Sequence, residues 1–146
     1  MEKINKEKVT NEDICNFENI IGGKLPLEYR EFLLKTNGGV PKNQEFITKD
    51  KFVESYLINL LPLLGENEET IIDEYNKNNL KQYILQHLII IGLDPIKSPI
   101  VISIGKEDYG KVYYWHKEFD DEETILSYKN MHLIAEDFKE LFKILK

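Results

Sequence analysis

The chain has 146 residues, which is the size of one domain that can bury a core without disulfides or metals. Apolar residues make up 42% and aromatic residues 11%, and these fractions exclude an intrinsically disordered chain. The formal charge of −7 excludes the basic footprint that direct binding of DNA or RNA requires.

The sequence predicts a soluble protein of the cytoplasm. Uninterrupted apolar runs such as residues 88–91 are far shorter than the roughly 20 residues of a membrane helix. The N-terminus is charged and polar and lacks the apolar centre of a secretion signal. Cys15 is the sole cysteine and forms no internal disulfide, which fits a reducing compartment. With no internal repeat and no low-complexity linker, we expect one domain over residues 1–146.

Two helices are predicted in the first third of the chain. Thr10 can cap a helix whose apolar residues follow helical spacing and which ends at residues 22–23. A second helix begins at Pro26 and ends at residues 37–39, where glycine accepts a left-handed backbone. Cys15 lies beside the apolar stripe of the first helix and is predicted to be a small buried or boundary residue.

After the two N-terminal helices, the sequence predicts a mixture of short strands and helices. Short strands are predicted at residues 45–48 and 55–61, and helices at 68–80 and 81–86. Three further strands are predicted, at residues 88–91, 100–104 and 112–115. A C-terminal amphipathic helix carries Ile134, Phe138, Leu141, Phe142 and Leu145. This order predicts an α+β fold, with a twisted, mainly antiparallel β-sheet packed against N-terminal and C-terminal α-helices.

The stretch GKEDYGKV, residues 105–112, nearly spells a phosphate-binding P-loop, with Val112 where serine or threonine should bind magnesium. A P-loop needs a helix after it, whereas here the β-forming residues VYYW follow. Glu107 and Asp108 would also repel phosphate. We therefore interpret the stretch as the turn of a β-hairpin in which Gly105 and Gly110 supply unusual backbone angles.

The sequence contains no pattern typical of a catalytic or metal site. His87, His116 and His132 lie far apart in the sequence and do not follow metal-ligand spacing. The acidic pairs Glu107/Asp108 and Asp120/Asp121 could act as general acid and base, but adjacent acids in turns are more often solvated. We therefore expect no enzyme activity, no metal and no cofactor.

Two motifs give the chain a family resemblance. Residues 22–41, GGKLPLEYREFLLKTNGGVP, resemble the N-terminal signature of the SUKH superfamily, L-P-x-x-Y/F-x-x-F-L-x-x-N-G-G. The segments IIIGLDP, IVIS and GKVYYWHKE are similar to the later strands of that superfamily. The matching positions, which the resemblance implies are mainly structural, are Leu25, Pro26, Tyr29, Phe32, Leu33, Asn37, Gly38, Gly39, Gly92, Asp94 and Trp115.

The chain departs from the superfamily pattern at two turns. Residues 96–99, IKSP, replace a glycine-containing turn, and His116-Lys117 replaces an aspartate-histidine pair after Trp115. Neither change alters the fold that the resemblance implies, but a small-molecule site does not transfer.

The resemblance implies a bacterial immunity protein, which binds a cognate toxin domain, frequently a nuclease, and blocks it without chemistry. The alternative of the same fold is a regulatory scaffold or ligand-binding module, as in eukaryotic relatives that take part in cell-wall signalling. A hydrolase is a third and weaker possibility. Both leading functions depend on a binding surface.

An acidic run offers a candidate surface for a basic partner. Five of the six residues 118–123, EFDDEE, are acidic, and they carry most of the excess negative charge. The candidate partner-binding residues are Glu118, Asp120, Asp121, Glu122 and Glu123, with Glu107 and Asp108 on the preceding turn. The simpler interpretation is that such a run is a solvated loop.

Overall fold

A computed structural model describes residues 7–146 of the chain. Residues 1–6, which belong to the N-terminus that was predicted to lack a secretion signal, lie outside the described residues. The α+β fold predicted from the sequence is confirmed, with helices packed beside mainly antiparallel sheets.

The N-terminal helices begin and end where the sequence predicts. Helix α1, Asn11–Ile21, begins with a capping box between Thr10 and Asp13, and Gly22 ends it in the left-handed conformation. Helix α2, Leu27–Thr36, follows Pro26 directly. Cys15 is exposed on α1, so the prediction of a buried or boundary cysteine is wrong. Its Sγ atom instead lies 3.8 Å from the Arg30 guanidinium.

The strands of residues 7–146 form two antiparallel sheets. Strands β1, Glu45–Ile47, and β2, Glu54–Tyr56, make a two-stranded hairpin. The main sheet has the order β3-β4-β5-β6-β7. Its strands are Asn59–Leu60, Leu88–Leu93, Pro99–Ser103, Val112–Trp115 and Met131–Ala135. The predicted strand at residues 55–61 is therefore two strands that belong to different sheets.

The predicted helix at residues 68–80 is shorter and less regular than expected. Helix α3 covers Ile71–Glu74 and continues as a π-helical turn, Tyr75–Asn79. The helix predicted at residues 81–86 is wrong, because that segment consists of turns and bends. The buried Asn79 side chain explains the difference: its Nδ2 atom donates to the backbone carbonyls of Leu85 and Leu88, which holds the segment in an open turn.

The GKEDYG stretch is a hairpin turn between β5 and β6, as predicted. Gly110 has a positive φ of 89°, which favours glycine. Gly105 serves a different purpose from the one predicted. A Cβ atom at Gly105 would lie 2.7 Å from Cδ2 of His87, so this glycine allows close approach of the histidine ring.

The end of the chain contains a strand that the sequence analysis assigned to the C-terminal helix. Residues Met131–Ala135 form β7, which pairs with β6, and helix α4 covers only Phe138–Ile144. Ile134 is therefore a buried strand residue, although its spacing from Phe138 matches a helix. Asp137 caps α4 by accepting a hydrogen bond from the Glu140 N–H.

The buried residues of helices and sheets form one hydrophobic cluster. Tyr29 of α2 packs edge-on against Phe138 of α4 with ring centroids 5.0 Å apart, and Phe17 of α1 packs against Tyr75. The β1–β2 hairpin is joined to this core because Phe46 contacts Tyr114 of β6. These contacts position the end of the main sheet at which β6 leads into the acidic residues 118–123.

Candidate partner-binding surface

The N-G-G motif closes the joint between helix α2 and the main sheet. Asn37 is buried with a left-handed backbone, and its side chain accepts from the Leu63 N–H and donates to the Leu64 carbonyl. Gly38 has a φ of 84°, and a Cβ atom there would lie 2.7 Å from the Leu60 carbonyl oxygen. Gly39 bridges to Leu60. The motif thus acts within the fold and offers little surface to a partner.

Gly92 and Asp94 stabilise the edge of the main sheet. Gly92 lies at a bulge in β4, and a Cβ atom there would lie 2.9 Å from the Asn59 carbonyl oxygen. The Asp94 carboxylate is buried and accepts hydrogen bonds from Ser55, from the Tyr114 hydroxyl and from the Ile96 and Ser98 N–H groups. The turn that departs from the superfamily pattern is therefore organised around this aspartate.

Trp115 fixes the start of the acidic segment, which we define as residues 118–123. The indole is 1% exposed, and its Nε1–H donates to Asp120 at 2.7 Å. Asp120 also accepts from Asn130 Nδ2 at 2.7 Å and from the Thr124 hydroxyl at 3.0 Å. The carboxylate of Asp120 is thus directed into the fold.

Asp121 shapes the next turn of the segment. Its carboxylate accepts from the N–H groups of Glu123 and Thr124, and these backbone hydrogen bonds lower the pKa of Asp121. Glu122 and Glu123 are exposed beyond this turn, and Glu118 is exposed before it. The acidic segment therefore presents three glutamates to solvent on a backbone that two aspartates hold in shape.

An apolar groove of about 370 Å³ runs beside the acidic segment. It is lined by Tyr83, Trp115, Lys117, Asp120, Asp121, Glu122 and Ile125. Tyr83 is 49% exposed, and Leu80, in the turn that precedes it in sequence, is 54% exposed. Lys117 is held inward, with its Nζ atom 2.8 Å from Asn78 Oδ1 and 5.3 Å from the centroid of the Trp115 ring. Apolar side chains beside a charged rim are the usual composition of a protein–protein interface.

The other candidate acids have unequal surroundings. Glu107 is exposed on the hairpin turn, whereas Asp108 accepts hydrogen bonds from Ser103, Tyr113 and Tyr128 at 2.6 to 2.7 Å. Burial opposes ionisation of Asp108, but these hydrogen bonds outweigh it and lower its pKa. Burial, with hydrogen bonds to Asp108, raises the pKa of Tyr113 and of Tyr128.

Comparison with known protein families identifies the family of the chain. The sequence profile of the SMI1 / KNR4 family (SUKH-1) matches residues 8–144, which is nearly the whole chain. The chain belongs to the SMI1 / KNR4 family. Comparison with curated proteins gave no match.

Two properties of the described part of this SMI1 / KNR4 family member concern membrane helices and metal-binding groups. Among the helices of residues 7–146, none has the length and apolar character needed to cross a membrane. In the same residues, His, Cys, Asp and Glu side chains form no group of three or more that could hold a metal ion.

The structure brings together two histidines that the sequence analysis treated as separate. Tyr114 of β6 pairs with His132 of β7, and this register places His116, two residues further along, with its ring centroid 6.2 Å from that of His132. The unpredicted strand β7 is the reason that the sequence did not reveal the pair. An alternating pattern in Met131–Ala135 would have been the signal, but it is only five residues long.

Proposed function

We propose that this chain is an intracellular immunity protein, which binds a cognate protein toxin and neutralises it without catalysis. The observation that carries the proposal is the exposed acidic rim of Glu118, Glu122 and Glu123 beside an apolar groove, on a chain of the SMI1 / KNR4 family. A nuclease is the favoured toxin, because its active site is basic enough to bind a phosphate backbone and is complementary to this rim.

The most direct genetic test uses the toxin domain encoded beside the gene for this chain. We expect that co-expression of the chain restores growth of cells that produce the toxin domain. Failure to restore growth against every neighbouring toxin, with both proteins expressed in folded form, would contradict the proposal.

The role of the acidic rim is tested through the association rate. The triple variant E118Q/E122Q/E123Q removes the charges of the three exposed glutamates but keeps Asp120 and Asp121, which shape the segment. Exposed charges mainly steer association, so binding to the toxin should slow by about tenfold at low salt and recover partly as ionic strength rises.

A matched control separates the rim from the overall charge. The variant E12Q/E28Q/E31Q removes the same number of charges from exposed positions on α1 and α2. It should slow association by less than about twofold, because these charges belong to α1 and α2 and not to the acidic segment. Equal rates for both variants would mean that the acidic segment has no special part in binding.

The alternative function, a scaffold or ligand-binding module, is favoured by a different observation. An open cavity of about 520 Å³ is lined by His87, Lys106, Glu107, Asp108 and Tyr128, among others, and lies within the size range of small-molecule sites. Failure of growth rescue against every neighbouring toxin, together with saturable binding of a small molecule that shifts the imidazole signals of His87, would favour the alternative.

A further inference from the structure

Four rings form a continuous cluster at the end of the main sheet. Phe52 stacks on His132 with centroids 4.7 Å apart, and Phe119 stacks on His116 with centroids 3.7 Å apart. Phe52 also lies edge-on to His116 at 6.2 Å. We call Phe52, His116, Phe119 and His132 the ring cluster. It contains two similar units, each with a phenylalanine stacked on a histidine.

Each unit of the ring cluster is completed by a carboxylate. His132 Nδ1 lies 2.6 Å from Asp50 Oδ2, and His116 Nε2 lies 3.1 Å from Glu118 Oε1. Burial opposes ionisation of Asp50, but hydrogen bonds from His132, Thr48 and the Phe52 N–H outweigh it and lower its pKa to about 2. Asp50 is therefore a fixed negative charge at neutral pH.

The backbone holds the ring cluster in place before any partner arrives. Lys49 N–H donates to the Leu133 carbonyl at 2.7 Å, which ties the β1–β2 turn to β7. The Phe119 N–H donates to the His116 carbonyl within the single 3₁₀ turn Lys117–Phe119. A surface whose side chains are already fixed loses little conformational entropy on binding.

The two phenylalanines are exposed although they are large and apolar. Phe52 is 62% exposed and Phe119 is 55% exposed. Aromatic side chains that reach solvent next to one another are typical of interface centres, where they bury large areas against a partner. Their histidine neighbours are mostly buried, so the cluster is an extension of the core onto the surface.

We propose that the ring cluster is a docking surface for an arginine-bearing segment of a partner protein. A guanidinium is planar and stacks on aromatic faces, while its N–H groups pair with carboxylates. Phe52 lies beside Asp50, and Phe119 lies beside Glu118, so each exposed ring offers both interactions at one place. The same carboxylates repel the phosphates of nucleic acid, whose bases such rings would otherwise accept.

Nearby lysines also affect how strongly the ring cluster attracts an arginine. Lys49 is paired with Glu140 at 2.8 Å, and Lys117 is directed to Asn78. Lys51 lies in the same turn as Asp50 and Phe52. Since Lys51 repels an incoming arginine, its replacement in K51A should strengthen binding by about twofold.

The test is a titration with tetra-arginine and tetra-lysine peptides at about 150 mM salt, followed by the imidazole proton signals of the three histidines. We expect tetra-arginine to shift the signals of His116 and His132 and to bind several-fold more tightly than tetra-lysine. His87 is an internal reference, because it contacts Tyr128 and packs against Gly105 of the hairpin turn rather than lying in the ring cluster.

Variants show whether the rings themselves bind the peptide. Each cation–aromatic contact at an exposed site contributes about two- to fivefold in affinity, so F52A/F119A should weaken tetra-arginine binding by about tenfold. The control E122Q/E123Q, in the acidic segment but outside the cluster, should change it by less than about twofold. Because both phenylalanines are exposed, we expect F52A/F119A to melt at the same temperature as the parent, which would show that the fold is intact.

Three results would overturn this inference. Equal affinity for the two peptides would mean that charge alone is recognised, and equal shifts of His87 would mean that binding is not localised. Shifts of His116 and His132 that depend on protein concentration without peptide would indicate a second copy of the chain as the occupant. The inference holds whether or not the partner is a toxin, so failure of growth rescue leaves it standing.

Discussion

Neighbouring acids in the acidic segment have different roles, and single substitutions separate them. Asp120 accepts the Nε1–H of the buried Trp115, whereas Glu122 is exposed. In D120A the indole donor loses its partner inside the protein, so we expect the free energy of unfolding to fall by about 2 kcal/mol. Urea denaturation followed by the fluorescence of Trp115, the sole tryptophan, measures this change.

The matched control for D120A is E122A. It removes a charge two residues away without removing a hydrogen bond to Trp115, and we expect a change within about 0.5 kcal/mol. If both variants had the same stability as the parent, Asp120 would be a surface acid like its neighbours, and it would return to the set of partner-binding candidates.

The Asp108 network makes stability depend on pH. D108N weakens hydrogen bonds from Ser103, Tyr113 and Tyr128, and should lower the free energy of unfolding by about 1–2 kcal/mol at pH 7. Because the folded-state pKa of Asp108 is lowered, its stabilisation is complete above about pH 4 and is lost as the pH falls through the lowered value. The stability difference between parent and D108N should therefore shrink toward pH 2.

The neighbouring E107Q variant is the control for this pH effect. Glu107 is exposed, so its replacement should have little effect on stability at either pH. Comparison of each variant with the parent at the same pH cancels the titration of other carboxylates. A stability difference for D108N that stays constant from pH 7 to pH 2 would contradict the assignment of a charged Asp108.

At the level of elements, the joint between α2 and the main sheet allows a test of the N-G-G motif. Gly22 and Gly38 both have positive φ, but a Cβ atom at Gly22 has nothing within 4 Å, whereas one at Gly38 would contact the backbone of residues 60–62. We expect G22A to lower the free energy of unfolding by about 1 kcal/mol and G38A by about 3 kcal/mol or more. Denaturation curves of the two variants measure the difference.

The two glycine variants share the same backbone penalty, so the excess at Gly38 isolates the steric contact with β3. Equal destabilisation by G22A and G38A would contradict the close contact between Gly38, at the end of α2, and the backbone of residues 60–62. A G38A variant that does not fold, beside a folded G22A, agrees with the prediction.

The elements that the sequence predicts well are those with local signals. Caps and glycine exits define both N-terminal helices, and β-forming runs define β4, β5 and β6. Strand β7 was missed because Ile134 and Phe138 have helical spacing across a strand–helix boundary. The turns of residues 81–86 were missed because hydrogen bonds from the buried Asn79 side chain to backbone carbonyls determine them, and an asparagine in the sequence does not reveal such bonds.

Sequence alone revealed less of the candidate surface than of the fold. It identified the acidic run, but the inward roles of Asp120 and Asp108 depend on partners such as Asn130 and Tyr128, which lie 10 and 20 residues further along the chain. The ring cluster depends on the register of β6 with β7 and on the position of the β1–β2 turn. Such contacts arise from tertiary packing and leave no periodic pattern in the sequence.

At the level of the whole molecule, the net charge of −7 and the position of the exposed acids agree with a basic protein partner. The acidic rim and the ring cluster meet at Glu118, which belongs to both. A partner could thus be steered by the glutamates and anchored by the rings, with the first effect on association and the second on dissociation.

The measurement that tests the central claim most directly is a titration of toxin activity with the purified chain. The toxin domain encoded beside its gene is held at a fixed concentration well above the dissociation constant, and its activity is measured as the chain is added. A neutralising protein that acts by binding alone lowers the activity linearly and abolishes it at about one equivalent. Full activity at a large excess of the chain, or complete loss at a small fraction of an equivalent, as an enzyme acting on the toxin would produce, would contradict the account.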